Sequence, residues 1–524
     1  MTIRHPLRIL LVGLGLGWAF DLLFWGKMPG VSVLIYTSLL LMGLFFALRW
    51  HQVRALPSNL WLPPLLLLFA AMVVIRANAF LTFLNILSIL TILILISENL
   101  VRRSSLSLRM QDLFVEPLRA FLSSIWHSQH LLQRANQSLK EDWEGKYARS
   151  IPSVIKGLLI SIPMLIILLP LLISADLIFA EVVKKLLSWD IIVEWGFRTI
   201  FMIIIGLFVA GGLAYSAQEE EPRMSSSDDI IGLGDEAPAS SKKSEWRLGV
   251  IETIIPINLV NLLLLSFTVI QIPYLFGGAL NIAEQKFTYA EYARRGFAEL
   301  VIVALFIFGI ILLLHALSRP QQPGPKLAFN LSASLLLALT VVLLISAFKR
   351  LGMYEAAYGF TTMRIYPHVF MIWLGALLVW FAVTLWIAPG RLALGLLVAA
   401  FGFVLTLNLL NPDAFIVRKN VGRHLEKGLV TVSNGARVVD VNYLLNLSDD
   451  AVPALVAALP ELGDMRQTAE EELQFRYQQR RDDASWRRWQ SWNVSRWQAY
   501  RWLDSYFGDE SADVPETGAS LLRY

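Results

Sequence analysis

The sequence predicts an all-α, polytopic membrane protein of about eleven transmembrane helices with a small soluble, mostly helical C-terminal region. Of its 524 residues, 56% are hydrophobic and only 16% charged, where an average soluble chain carries about 25% charged residues. Apolar runs long enough to cross a hydrocarbon core, about twenty residues each, recur from the N-terminus to Leu410 and then stop. After Asn411-Pro412 the composition turns polar.

Hydropathy places the spans at 7–24, 31–48, 60–75, 80–96, 154–179, 199–217, 250–276, 296–317, 327–348, 369–387 and 392–410. The first follows Arg4 and Arg8 as a signal peptide would, but Asp21 and Trp25 stand where a small-residue cleavage site belongs, so it reads as a retained span. The fifth contains Pro163 and Pro170, which predict a tilt, a kink or a break into a re-entrant pair. Four sections result: a six-span half over 1–217, a flexible charged linker over 218–246, a five-span half over 247–411 and the tail over 412–524. Within the first half, 101–150 is rich in Arg, Lys, Gln and Ser with periodic Leu and Phe, the pattern of amphipathic helices at a membrane surface. The linker contains Glu219-Glu220-Glu221 and Ser225-Ser226-Ser227 without apolar periodicity.

In the tail, Asn434-Gly435 between two short β-prone runs predicts a hairpin over 429–440. Helices are expected from Ser448, and from 468 to about 507, where apolar residues recur at helical spacing without a strong breaker. The second helix carries Trp486, Trp489, Trp497, Tyr500 and Phe507 within one arc, which suits either the core of the tail or a lipid interface. Lys and Arg concentrate in the loops that share a side with the N-terminus, so the N-terminus is expected in the cytoplasm and the tail outside.

The formal net charge of +4, scattered among loops, does not form the basic stripe that nucleic-acid binding needs. With no cysteine, thiolate metal sites, disulfides and thiol nucleophiles are excluded. No His-Glu-x-x-His, phosphate-binding loop, nucleophile elbow or dinucleotide fingerprint occurs, and no catalytic residue, metal or cofactor is expected.

Two polar clusters interrupt the second half. Thr288-Tyr289-Ala290-Glu291 has capping-box spacing, and a cap accounts for Glu291 without further function. Arg294 and Arg295 follow, with Arg295 and Glu299 spaced as a helical pair. The second cluster contains Tyr354, Tyr358-Gly359-Phe360-Thr361-Thr362 and Arg364, either an interfacial loop with tyrosine anchors or a binding site. In the seventh span, Asn258, Asn261 and Thr268 share a face and read as interhelical glue. Asp449 and Asp450 follow Ser448 at an expected helix start, where the dipole accounts for them.

These motifs resemble the bacterial membrane families catalogued as domains of unknown function four-one-seven-three and four-one-five-three. The resemblance rests on Tyr289 to Phe297, on Met353-Tyr354 with Ala357 to Thr361 and Arg364, on Asn411-Pro412-Asp413-Ala414, and on Asp440, Tyr443-Leu444 and Leu447 to Leu455. It covers roughly the second half of the chain and implies a multi-span protein of the bacterial cytoplasmic membrane, without a reaction.

The two polar loops are two spans apart, and the second loop and the tail two more, so all three are expected on one face. The leading expectation is a non-enzymatic envelope binding, scaffold or sensory module. Its extracytoplasmic surface, lined by Tyr289, Glu291, Arg294, Arg295, Tyr354, Tyr358 and Arg364, would engage membrane lipid, an anionic envelope component or a membrane protein partner. A secondary transporter and an envelope or lipid-modifying transferase are the alternatives.

Overall fold

The computed structural model describes residues 5–52, 57–99, 121, 123–135, 190–216, 250–276, 297–317, 323–387, 391–426, 440–483 and 486–508. Fifteen α-helices are named here in chain order: α1 (Pro6–Phe24), α2 (Val31–His51), α3 (Leu62–Ile75), α4 (Ala79–Asn99), α5 (Asp190–Ser216), α6 (Val250–Phe276), α7 (Phe297–Leu317), α8 (Pro323–Tyr358), α9 (Thr362–Ile387), α10 (Leu392–Leu410), α11 (Pro412–Glu426), α12 (Val441–Leu445), α13 (Val452–Ala458), α14 (Arg466–Asp482) and α15 (Val494–Phe507). Among the described residues there is no strand.

Eight helices are long and apolar enough to cross a membrane among the described residues, and two more of the eleven expected spans are the shorter apolar helices Leu62–Ile75 and Ile254–Val269. The expected span at 154–179, the linker and the hairpin turn lie outside the described residues. Helix α3 is short for a local reason. Pro63 and Pro64 fix its first turn and Arg76 ends it in an extended conformation, which leaves 14 residues, about 21 Å of helix against a hydrocarbon core of about 30 Å. Helix α8, at 36 residues, is the opposite case. At about 54 Å it outruns the core, so its last turns, which carry Lys349, Tyr354, Glu355 and Tyr358, continue past the apolar layer.

Helices α1 and α5 pack antiparallel through small residues. A Cβ on Gly17 would meet the Met202 carbonyl oxygen at 2.2 Å, and one on Gly13 would meet the Gly206 carbonyl at 2.6 Å. Without those side chains the backbones approach closely, the usual source of helix attraction in lipid. At one end of this pair Asp21 accepts from the Arg198 guanidinium at 2.6 Å and 3.1 Å. Asp21 is therefore paired between helices. Asn261 of α6 donates to the Ser332 carbonyl of α8 at 2.9 Å, the interhelical role its face predicts.

One apolar core joins α1 to α5 with Ala393, Leu397 and Val404 of α10, and a second joins α6 to α10. A third lies in the tail but reaches into the spans, since Leu81, Ile365, Val369 and Leu407 pack with Ile416, Leu455, Leu459, Leu473 and Leu503. The tail is thus seated on one end of the bundle.

The helix expected over 468–507 is two helices. The first ends where Asp483 turns extended, and Asn493, also extended, caps α15 by accepting from the Arg496 N–H at 3.1 Å, while its side-chain amide donates to the Val73 and Arg76 carbonyls, both at 2.9 Å. Docking on α3 thus accompanies the start of α15. Tyr500 lies against Trp486 at 5.1 Å and Tyr477 at 5.9 Å between ring centroids, so one aromatic side of α15 fills the tail's own core. Trp489, Trp492 and Trp497 stay exposed.

Candidate functional site

Three span connections meet the tail at one seam. In the corner between α1 and α2, Val31 N–H donates to the Trp492 carbonyl at 2.8 Å and Met28 N–H to the Ser491 hydroxyl at 3.1 Å. The Arg496 guanidinium donates to the Pro29 carbonyl. Gly30 has to be glycine, because a Cβ there would sit 2.4 Å from the Trp492 carbonyl oxygen.

The backbone amides of the corner between α3 and α4 are capped by the Asp450 carboxylate. Asp450 accepts from the N–H groups of Ala77 and Asn78 at 2.9 and 2.8 Å and from the Ser495 hydroxyl at 2.5 Å. Arg76 stands 3.8 Å away, the side chains being 16% and 1% exposed for Arg76 and Asp450 respectively. Helix-start stabilisation therefore does not account for Asp450: the two amides it caps belong to α4's approach, more than 370 residues earlier. Burial pushes the Asp450 carboxyl above its ordinary range, and the Ser495 hydroxyl and Arg76 pull it back. Burial likewise lowers Arg76, opposed by Asp450.

Next to it, Asn411 takes a left-handed conformation at φ 49° to end α10, and Pro412 opens α11. That turn delivers Asp413 beneath the tail, where it accepts from the Asn78 side-chain amide at 2.9 Å and the Ser448 N–H at 3.2 Å. Motif residues Asp413, Ser448 and Asp450 are thus one hydrogen-bonded joint, positioned by the turn at Asn411.

The third connection, between α8 and α9, contains the second polar cluster. Gly359 ends α8 at φ 84°, a conformation that favours glycine. Asn420 of α11 clamps the next residue, accepting from Phe360 N–H at 2.7 Å and donating to its carbonyl at 2.8 Å. Tyr443 holds the start of α9 by accepting from Thr362 N–H at 2.9 Å. The Arg364 guanidinium lies over the Tyr354 ring at 4.2 Å and beside Tyr358 at 5.9 Å, and it also donates to the Gly359 carbonyl. The two rings meet edge to face at 5.0 Å, and Tyr358 is 57% exposed. Cation–π contact fixes the direction of the Arg364 fork without neutralising its charge.

Of the residues expected to line the site, Tyr354, Tyr358 and Arg364 come together, while Tyr289, Glu291, Arg294 and Arg295 lie outside the described residues. Sequence reasoning missed Arg76, Asn78, Asn420 and Asn493. For Arg76 a signal existed: an arginine three residues from the next span, in a connection too short to bend away, has to find a partner.

Below this seam a cleft of about 210 Å³ opens between α11, α13 and α15, with Arg76, Arg418, Asp449, Asp450 and Trp502 among its walls. Among the described residues no group of three or more His, Asp or Glu side chains is placed to hold a metal ion.

A family model described as Domain of unknown function (DUF4153) matches residues 65–458. The match begins in α3, further toward the N-terminus than the motifs that carry the resemblance, and does not show the four-one-seven-three family. No curated protein and no solved structure matches the chain.

Proposed function

The chain belongs to the DUF4153 family, and from that premise we propose that it is a non-enzymatic binding or scaffold module of the bacterial inner membrane. Its N-terminus is cytoplasmic and its tail extracytoplasmic, and the cluster of Arg364, Tyr354 and Tyr358, together with Tyr289, Glu291, Arg294 and Arg295, engages an anionic group at the outer surface. The observation that carries this reading is a guanidinium held in place by two tyrosine rings and a carbonyl, with no carboxylate paired to it among the described residues. Such an arginine keeps its charge and its direction, as recognition of a carboxylate or phosphate requires. The Lys and Arg bias of the loops supports the orientation. The end of α1 touches the tail through Leu22, Gly26 and Met28, which supports opposite sides for the start of α1 and the tail. Against transport, Asn261 and Asn330 use their amides to bond carbonyls of neighbouring helices at 2.9 and 3.1 Å instead of lining a path.

The test is genetic and physical together. Arg364→Ala should reproduce the phenotype of a deletion strain while membrane abundance and thermal stability stay near those of the parent. A fully complementing Arg364→Ala strain, or a variant absent from the membrane, refutes a binding role for this residue.

A further inference from the structure

We propose that the cleft between α11, α13 and α15 is a second anion site, distinct from the Arg364 cluster, that takes a phosphate-bearing headgroup. Its floor is fixed to span ends, since Arg76 follows α3 directly and its Nε donates to the Asn408 carbonyl of α10 at 2.7 Å. The cleft therefore opens at the depth of lipid headgroups, where the abundant anion is phosphate.

Its charges do not cancel. Asp450 is spent on Arg76, Ser495 and the two amides of the α3–α4 corner, and Asp449 is bonded by Arg480. Arg418 remains, exposed on the α11 wall and without a hydrogen bond or ion pair among the described residues. Arg76 is mostly buried and shares Asp450 with four other donors, Ala77 N–H, Asn78 N–H and the Ser448 and Ser495 hydroxyls, so it keeps donor capacity toward the same space. Two guanidinium groups over one cleft make a fork-lined anion site.

Beside Asn411, Ser495 and Gln498, part of the remaining wall is apolar. Ala454 and Ala457 of α13 and the Trp502 ring leave a smooth side that would accept a glycerol or acyl-proximal segment beside the phosphate. A wholly hydrated anion gains nothing from such walls. An amphiphile does.

The full-length protein, purified in detergent, is titrated calorimetrically with two probes, dihexanoyl phosphatidic acid and inorganic phosphate. The lipid probe should bind, and Arg418→Ala should weaken it at least about tenfold, the size of one lost charge-assisted contact. Ala457→Trp, which fills the cleft without touching charge, should weaken it comparably, and both variants should keep the parent's melting temperature. Equal affinity for inorganic phosphate, with the same dependence on Arg418, supports the anion site and identifies the free ion as its source. Arg364→Ala should leave the titration unchanged, so this proposal and the role assigned to Arg364 fail separately. Absence of binding, or binding that ignores both Arg418→Ala and Ala457→Trp, overturns the site, as does binding lost only with Arg364→Ala.

Discussion

Inside the bundle, helices meet through what their side chains lack. Gly13 and Gly17 let α1 and α5 touch backbone to backbone, the Trp373 ring lies where a Cβ on Gly402 would come within 2.2 Å of it, and polar links are sparse, such as the single bond from Asn261 to the Ser332 carbonyl and the reciprocal pair between Asn85 and Asn408. At the tail end the same helices are held by directional polar groups, with Asp450, Asn420 and Asn493 each making two bonds to span ends and their connections and Asp413 joining Asn78 to Ser448 of the tail. Lipid explains the difference. Apolar side chains gain little by leaving hydrocarbon for a helix interface, so close packing decides there. At the seam, unpaired backbone groups at span ends each need a partner. The tail supplies those partners, and in doing so its own position becomes fixed relative to the spans.

Substitutions at the seam should have larger effects than substitutions inside the bundle. Asp450→Ala leaves two N–H groups and the buried Arg76 charge without their acceptor, a loss of about 3–5 kcal/mol for a buried charge pair broken on one side. Limited proteolysis should then cut the tail away while the spans stay folded; an uncleaved tail at parental melting temperature contradicts the assigned role. Gly17→Ala should cost about 1–3 kcal/mol by overpacking, since its Cβ has no room beside Met202. Here unfolding in detergent should begin with the spans, and a tail that loosens first would merge the two regions into one. Asn261→Ala, which removes a single interhelical bond, should cost only about 0.6 kcal/mol, and a loss several times larger would mean that polar groups carry the interior as well.

The smallest effect sharpens the account within the tail. The Tyr506 hydroxyl, with help from Arg466, holds the Glu470 carboxyl below its ordinary value of 4.5. A lowered folded value means stability present above the ordinary value and lost as pH falls through the lowered one. Melting of the parent should therefore fall off more steeply below pH 4.5 than that of Tyr506→Phe, and parallel pH profiles would remove this contact from the ledger of the tail.

Most of the bundle was legible in the sequence because lipid imposes a length and a composition that a single window can detect. Helices α1, α2 and α10 match the expected runs within a few residues at each end. The cluster of Tyr354, Tyr358 and Arg364 was legible too, since helical spacing and one short connection bring the three together. The seam was not. Asp450 and Ala77, or Asn493 and Val73, are paired across more than 370 residues, and nothing local in either segment marks the other. The same cause hid the interruption between α14 and α15, because Asn493 becomes a helix cap and a bridge to α3 only once the tail is seated. Local propensity alone would carry the helix through.

Both binding proposals need the seam to be closed in the membrane, and hydrogen exchange reads that directly. In full-length protein reconstituted into nanodiscs, peptides covering 26–31 and 74–81 should exchange slowly, close to the rate of the helices they join, because Val31, Ala77 and Asn78 N–H groups are bonded to the tail. In the same preparation carrying Asp450→Ala, the 74–81 peptide should exchange at least about a hundredfold faster, as a loss of about 3 kcal/mol requires. Exchange of both corners at loop rates in the unaltered protein would mean that the tail moves independently of the bundle, and would contradict the account.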